Sequence, residues 1–536
     1  MRSRKLVGLA AIAIIVAVGI SVLQLGGSRT SLTIVSGSEN SGIEPIIAKW
    51  ATRNRVDVTV SYLGSVDISR EISKGADGAY DAVWPAHSLW IELGDRQKVV
   101  KHRESILRSP VVLGLRKSIA ERLGWVGRDD VTIQMIAAAA KDKEFRLAMT
   151  SATQSNSGAS AYIGFLYALS GNPDLLTQDH LADPQVQDGV RDLLALVDRS
   201  SGSSGWLRDA LVGNPNAYDA MFNYEAIVLE ANEALVEQQQ EPLFMIYPAN
   251  GLAVADSPLG YVDHGDADKE QAFLDLQQYL LSNEIQEEIT RTGRRAGLIG
   301  LSAEAASSGI WNPDWGVDLA RSIAPVPTPE SDVIREALRL YQTELRKPSL
   351  TVWVLDVSGS MGGEPIEQLK QAMRLLLDPD EAALNLLQPS SRDITIILPF
   401  NDRPIAPYVI VGSDPDELQA ALSRVHQLSA GGGTDLYGAI GKALDGIAPY
   451  YEKGELSDYL PAIVAMTDGA SETDNRQKLL AQLKRLKFGK DIPIHSIAFG
   501  DADEGQLKEL SDASIGRLFA AGNDLAKALR SAKGYN

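Results

Sequence analysis

From Ser31 onward the hydrophobic positions switch between two periods. SLTIVSGSE carries a strand-like run, Leu32 to Val35, that ends in a small polar loop. IEPIIAKWATRN follows with apolar residues three and four apart, the period of an amphipathic helix. VDVTVSYLGS alternates with period two, and DAVWPAHSLW reads as a strand end running into a turn. Strands alternating with helices predict a parallel sheet covered by helices, an α/β class. The helical period returns at QVQDGVRDLLALVDR and at KEQAFLDLQQYLLSNEIQEEITRTG, the latter predicted to stop at Gly293.

Two segments break this rhythm. SIAPVPTPESD (322–332) places Pro325, Pro327 and Pro329 where no helix or central strand could continue, which marks a linker or domain boundary. DVIREALRLYQTELRK then restarts a helix, expected to pack on the following domain, and a second α/β unit begins at Leu350. At the other end, Arg2, Arg4 and Lys5 precede an uncharged run from Leu6 to Leu25. A helix over that run is about 30 Å long at about 1.5 Å per residue, the thickness of a bilayer's hydrocarbon layer. A single-pass anchor in the cell membrane is therefore expected, with the N-terminus cytoplasmic and the bulk of the chain extracytoplasmic. A cleavable signal peptide is the rival reading; its apolar region is usually shorter, and no small-x-small site precedes Gly26-Gly27. Four parts result: an anchor at 1–28 (helix 6–25), a first domain at 31–320, a proline-rich linker and helix at 321–348, and a second domain at 349–536.

Composition narrows the function classes. The chain has 536 residues, too many for one core. A net charge of −19 argues against nucleic-acid binding, since nothing would neutralise phosphates. The absence of cysteine excludes disulfides, thiolate metal sites and cysteine nucleophiles.

Three loops of the first unit share small hydroxyl residues: SGSENSG (36–42), GSVD (64–67) and TSATQSNSGASAY (150–162). Each opens a predicted helix, whose first N–H groups lack partners and can bind a ligand. Capping by Ser and Asp accounts equally for any one of these loops. The order TIVSGSE, VTVSYLGSVDI, YDAVWPAHSLW, TSATQSNSGASAYIGFLYALSG, MFNYEAIVLEAN, YPANGLAVADSPLGYV, FLDLQQYLLSNEIQEEITRTGRRAG resembles the type II periplasmic solute-binding proteins of bacteria. The resemblance implies two α/β lobes closing on a small solute, one of residues 31 to about 130 completed by 250–320, the other of 135–245. It implies ligand contacts from Ser36, Ser38, Ser65, Trp84, Ser157, Ser160, Asn223, Tyr224 and Tyr247; Trp84 and Tyr224 could stack on an organic ligand, though an aromatic beside a cleft is as often plain packing. Glu39 and Asp67 would repel a simple anion unless they point away as caps.

The second unit opens on TVWVLDVSGSMGGEP. Its strand delivers Asp356 to the carboxyl end of a sheet, where open α/β sheets bind ligands. Asp356, Ser358 and Ser360 alternate in a glycine-rich loop, so their oxygens can face one point; an oxygen-only set suits Mg²⁺ or Mn²⁺. An Asx turn followed by a helix cap is the alternative. Two further segments, SAGGGTDLYGAIGKAL and PAIVAMTDGASETDN, bring Thr434 and Asp468. Together with IPIHSIAFG and QLKELSDASIGRLFAAGNDLAKAL, they resemble a von Willebrand factor type A (vWA) domain with its metal-ion-dependent adhesion site. That resemblance implies a doubly wound, Rossmann-like sheet and a metal held by Asp356, Ser358, Ser360, Thr434 and Asp468. Ser358, Ser360 and Thr434 would bind directly and the two carboxylates mainly through waters. An acidic side chain from a partner protein would fill the open position.

Catalytic patterns are missing from the sequence. Leu436 and Ala443 break a phosphate-loop match around Gly441-Lys442. No serine sits in a G-x-S-x-G elbow, and the histidines lack zinc-motif spacing. The sequence therefore predicts a non-enzymatic protein joining a solute module to a vWA module for sensing or assembly. The alternative is a solute receptor for a separate transporter, with the vWA domain only docking it.

Overall fold

Three sheets carry the chain in a computed structural model that describes residues 29–296, 309–317, 319, 325–472, 474–500, 502–521 and 525–534. The first sheet orders its strands Asp57–Tyr62, Ser31–Ser36, Ala82–Trp84, Pro258–Val262 and Val100–Ser105. The first three run parallel, and Pro258–Val262 is antiparallel to both of its neighbours. Leu32, Ile34, Ile46, Ile47, Trp50 and Phe273 fill the core beneath it. The second sheet is built on Ser109–Arg116, buried along its whole length. It pairs antiparallel with Ala220–Tyr224, Leu243–Ile246 and Val254–Ala255, and Leu147–Thr150 and Val197–Ser201 extend it.

The chain thus crosses between lobes twice, as expected, but the first crossing lies at 106–108 instead of near 130. VVLGL is an all-apolar strand with both faces covered, and it belongs to the second lobe's core. The long helix predicted to end at Gly293 is two helices, Ala267–Leu280 and Asn283–Thr290, because Ser282 starts a new helix after Leu281. Gly293 itself follows at φ +80°, the left-handed conformation that ends a helix.

Helix Ser331–Leu340 follows the prolines and lays Val333, Ile334, Ala337 and Leu338 into the core of the second lobe. Tyr162 Oη donates to the Ala337 carbonyl at 2.8 Å. The helix therefore packs on the preceding domain, contrary to expectation, where its apolar stripe meets helices Gln178–Ala182 and Leu89–Gly94.

The third sheet runs Tyr408–Val411, Ile394–Phe400, Ser349–Asp356, Leu460–Thr467, Ile494–Ala498 and Leu518–Ala520. All neighbours are parallel except the edge strand Tyr408–Val411. Separate cores cover its two faces, one with helices Glu364–Leu377, Pro415–His426 and Leu525–Lys533, the other with Leu436–Glu452, Arg476–Arg485 and Glu504–Asp512. This is a doubly wound sheet. The predicted anchor, 6–25, lies outside the described residues; among these, no helix is long and apolar enough to cross a membrane.

Candidate functional sites

Strand Ser349–Asp356 ends with Asp356 fully buried, because the central strand of a covered sheet leaves no solvent at its tip. Its Oδ1 accepts the Ser358 N–H at 2.8 Å and its Oδ2 the Thr467 hydroxyl at 2.5 Å. Burial pushes the Asp356 carboxyl above its ordinary range, against the pull of Thr467 and Ser358. Ser358 Oγ lies 3.1 Å from Ser360 Oγ, which donates to Asp468 Oδ1 at 2.8 Å. The 430–434 loop is stitched alongside: Gly431 N–H donates to the Val357 carbonyl at 2.8 Å, and Gly359 N–H to the Gly432 carbonyl at 3.0 Å. Thr434 sits half-buried at the end of that loop, its carbonyl accepting from Glu472 N–H at 2.9 Å and Ser471 Oγ at 3.2 Å. Gly359, Ser360 and Gly362 are exposed, so the cluster faces solvent.

Neighbouring ligand oxygens of an octahedral ion at about 2.1 Å stand about 3 Å apart. The Ser358–Ser360 spacing of 3.1 Å matches that edge. Asp356 has both oxygens engaged by protein donors, which suits a role through water. The donor set fits a hard cation, and it depends on hydroxyls: among the described residues no three His, Cys, Asp or Glu cluster as a metal site. Thr467 was not legible in advance, since a threonine inside a strand looks like ordinary strand material.

A second candidate site lies between the two lobes, where a cavity of about 190 Å³ opens. Ser38, Glu39 and Ser65 line it from the first lobe, Ser155 and Ser203 from the second. Ser38 Oγ and Ser203 Oγ meet across the gap at 3.1 Å. Arg517, Phe519 and Ser531, from the third sheet and the last helix, also line it.

Of the expected ligand contacts, Ser38 and Ser65 lie on this cavity and the others do not. Trp84 is core, fully buried, its indole N–H donating to Ser257 Oγ at 3.0 Å. Tyr224 is equally buried and accepts from Asn156 Nδ2 at 2.9 Å. Neither is placed to stack on a ligand. Ser36 is held by Asn40 Nδ2 at 3.1 Å, and Ser157 by Ser204 Oγ at 2.7 Å. Ser160 is buried in helix Asn156–Leu169, and Asn223 donates to the Ser204 carbonyl at 3.0 Å. Tyr247 donates to buried Glu225, away from the cleft. The missed helix start is Ser203, in SSGSSG; its composition matches the loops singled out above.

Residues 32–295 match the family model for bacterial extracellular solute-binding protein, and residues 352–530 that for the von Willebrand factor type A domain. The chain carries one domain of each family. Inter-alpha-trypsin inhibitor heavy chain H3 of Homo sapiens is 26% identical over 157 residues, which are 29% of this chain and 17% of that protein. The chain thus spans less than a fifth of the length of that relative. Among solved structures, a von Willebrand factor type A protein from Catenulispora acidiphila aligns over 36% of this chain and 43% of its own, with 18% identity and a TM-score of 0.28. An ABC transporter solute-binding protein from Thermotoga lettingae bound with α-D-tagatose covers 59% of this chain and 94% of its own, at 15% identity and a TM-score of 0.42. The chain thus joins a solute-binding-protein domain to a von Willebrand factor type A domain.

The two modules touch at the cleft. Arg530, on vWA helix Leu525–Lys533, places Nε 3.7 Å from Asp67 Oδ1 in the first lobe. The carbonyl of the same residue accepts from Gln154 Nε2 of the second lobe at 2.6 Å. Arg199, beside the cleft in the second lobe, donates to the Ile515 carbonyl at 2.7 Å.

Proposed function

We propose that the protein is a membrane-anchored extracytoplasmic binding protein in which solute capture and vWA-mediated protein contact are coupled, serving as a sensor or assembly factor. One observation carries this reading: a single residue of the last vWA helix, Arg530, engages both lobes. Lobes that part must carry Asp67 and Gln154 away from each other, so one of the two contacts breaks or the helix follows one lobe. Cleft opening and the position of that helix are then linked, and linkage is reciprocal.

The vWA face would use Mg²⁺ or Mn²⁺, held directly by Ser358, Ser360 and Thr434 and through waters by Asp356 and Asp468. Neutral direct ligands leave the ion attractive to a Glu or Asp of a partner protein, a charge-assisted contact that fixes orientation. The uncharged run at 6–25 supplies the anchor, and the chain divides at 31–320, 321–348 and 349–536. Neither module turns over a substrate in this reading. Partner affinity measured with and without the solute tests the coupling. A change of several-fold is expected. Equal affinities would leave two independent modules, the receptor-and-docking arrangement.

A further inference from the structure

A second cavity, of about 40 Å³, lies where the second lobe, the linker and the vWA domain meet. Arg346 and Lys347 of the linker line it, with Lys533 of the last vWA helix and Ser151, Thr153 and Ser200 of the second lobe. Three basic residues and no acidic one face it, in a chain whose net charge is −19. The acid that acts on Lys533 is Asp393, and its oxygens are already engaged. Asp393 Oδ1 accepts from Arg346 Nη1 at 3.0 Å, from Ser349 N–H at 2.8 Å and from Ser390 Oγ at 3.0 Å. Its Oδ2 accepts from the other Arg346 nitrogen and from Ser390 N–H. Asp393 is thus saturated, and Lys533 has no hydrogen-bond or ion-pair partner among the described residues. Lys347 Nζ donates to the Val197 carbonyl at 3.4 Å, a long bond for a group with several donors to place. Asp198 and Asp458, the acids that act on Lys347, are exposed and do not line the cavity. Burial lowers both ammonium groups from their ordinary range, Lys533 to about 8, so Lys533 still carries its charge at neutral pH.

We infer that this cavity binds a small monovalent anion of halide size between Lys533 and Lys347, and that the anion fastens the vWA domain to the second lobe. A sheltered cation without a partner is costly, and an anion shared by two of them removes that cost. The volume holds about three waters, which suits a halide with part of its hydration and is too small for an organic phosphate. Hydroxyls complete the shell. Ser151 Oγ and Thr153 Oγ1 stand 3.1 Å apart on the lobe side, and Ser200 offers a further donor. The cavity is distinct from the solute cleft, with which it shares only Gln154 as a lining residue, so the inference stands without the solute reading. It draws on three parts of the chain, and one of them is helix Leu525–Lys533, which also carries Arg530. Occupancy therefore steadies the helix that spans the mouth of the solute cleft. Without the anion, like charges on the linker and the last helix meet across the junction and loosen it.

Thermal melts of the full chain at neutral pH and constant ionic strength, with chloride exchanged for gluconate, test this. The wild type should melt several degrees higher in chloride, because an ion that binds only the folded chain stabilises it. Lys533→Met removes the unpaired charge, so it should melt higher than the wild type in gluconate and no longer distinguish the two salts. Lys347→Met should at least halve the chloride shift. Crystals of the wild type grown in bromide should show an anomalous peak in the cavity. Equal wild-type melting in the two salts, or no such peak, overturns the site. A full chloride shift in both variants also overturns it, since the ion then binds elsewhere. A Lys533→Met chain less stable than the wild type in gluconate would mean that water already satisfies the ammonium, and the inference falls.

Discussion

Arg530 reaches Asp67 with its side chain and Gln154 with its carbonyl, so one residue of the vWA domain spans the mouth of the solute cleft. Both partners of the ion pair are about four-fifths buried, which puts the pair between the weak exposed bridges and the costly buried ones. A double-mutant cycle with Arg530→Gln and Asp67→Asn should show a coupling energy of about 1 kcal/mol in thermal or urea unfolding. Strict additivity would mean that the contact does not hold the domains together. The cycle must allow for Arg70, the second partner of Asp67.

Gly64 sets how closely the lobes approach. A Cβ at this position would stand 2.3 Å from the Gln154 carbonyl oxygen across the cleft. Its backbone, φ −66° and ψ 149°, suits any residue, so Gly64→Ala carries no conformational penalty of its own. The variant should fold with near wild-type stability yet hold the lobes apart. Small-angle scattering should report a larger radius of gyration; an unchanged radius would show that the cleft closes by another route.

How much of this was readable in advance follows a physical line. Asp356, Ser358, Ser360 and Asp468 were legible because a strand end followed by glycines and hydroxyls leaves a recognisable string. Ser38 and Ser65 were legible because helix starts draw small polar residues. Trp84 and Tyr224 misled: an aromatic at the end of a short strand looks the same whether it faces the core or a cleft, and Ala82–Trp84 is too short to show its alternation. Arg517 could not be found at all. Its place in the cleft depends on how two domains dock, and no local periodicity encodes that. The helix at 331–340 shows the same limit, since its apolar stripe declares a buried face without saying which domain covers it.

Glu39 makes the stability of the first domain fall as the pH is raised towards neutrality. Burial raises its carboxyl to about 7 from an ordinary value of 4.5, against the opposing influence of its own backbone and of Arg294. Tyr62 and Tyr224 also face it, and Asp67 and Arg517 lie across the cavity. The folded state therefore holds a proton that the unfolded chain gives up between pH 4.5 and 7, so this contribution is complete below 4.5 and is lost as pH rises through 7. The loss is on the order of 3 kcal/mol. Urea unfolding of the wild type against Glu39→Gln across this window should show the excess slope only in the wild type. Parallel curves would mean that water already satisfies the carboxylate.

The metal site gives the sharpest test of the vWA face. Asp356 orients the Ser358 N–H and is tied to Thr467 on the neighbouring strand, so it holds the loop that carries both serines. Metal that binds only the folded chain stabilises it by about 2.7 kcal/mol at a concentration of a hundred times its dissociation constant. Wild-type protein stripped with chelator should therefore melt higher as Mg²⁺ is restored. Asp356→Ala should lower the starting stability and abolish the response. Ser360→Ala keeps the buried Asp356 network and removes a hydroxyl bonded to Ser358 and Asp468 at the exposed edge of the site, so it should weaken the Mg²⁺ response with a smaller change in the metal-free melt than Asp356→Ala. A full Mg²⁺ response in both variants would place the ion elsewhere.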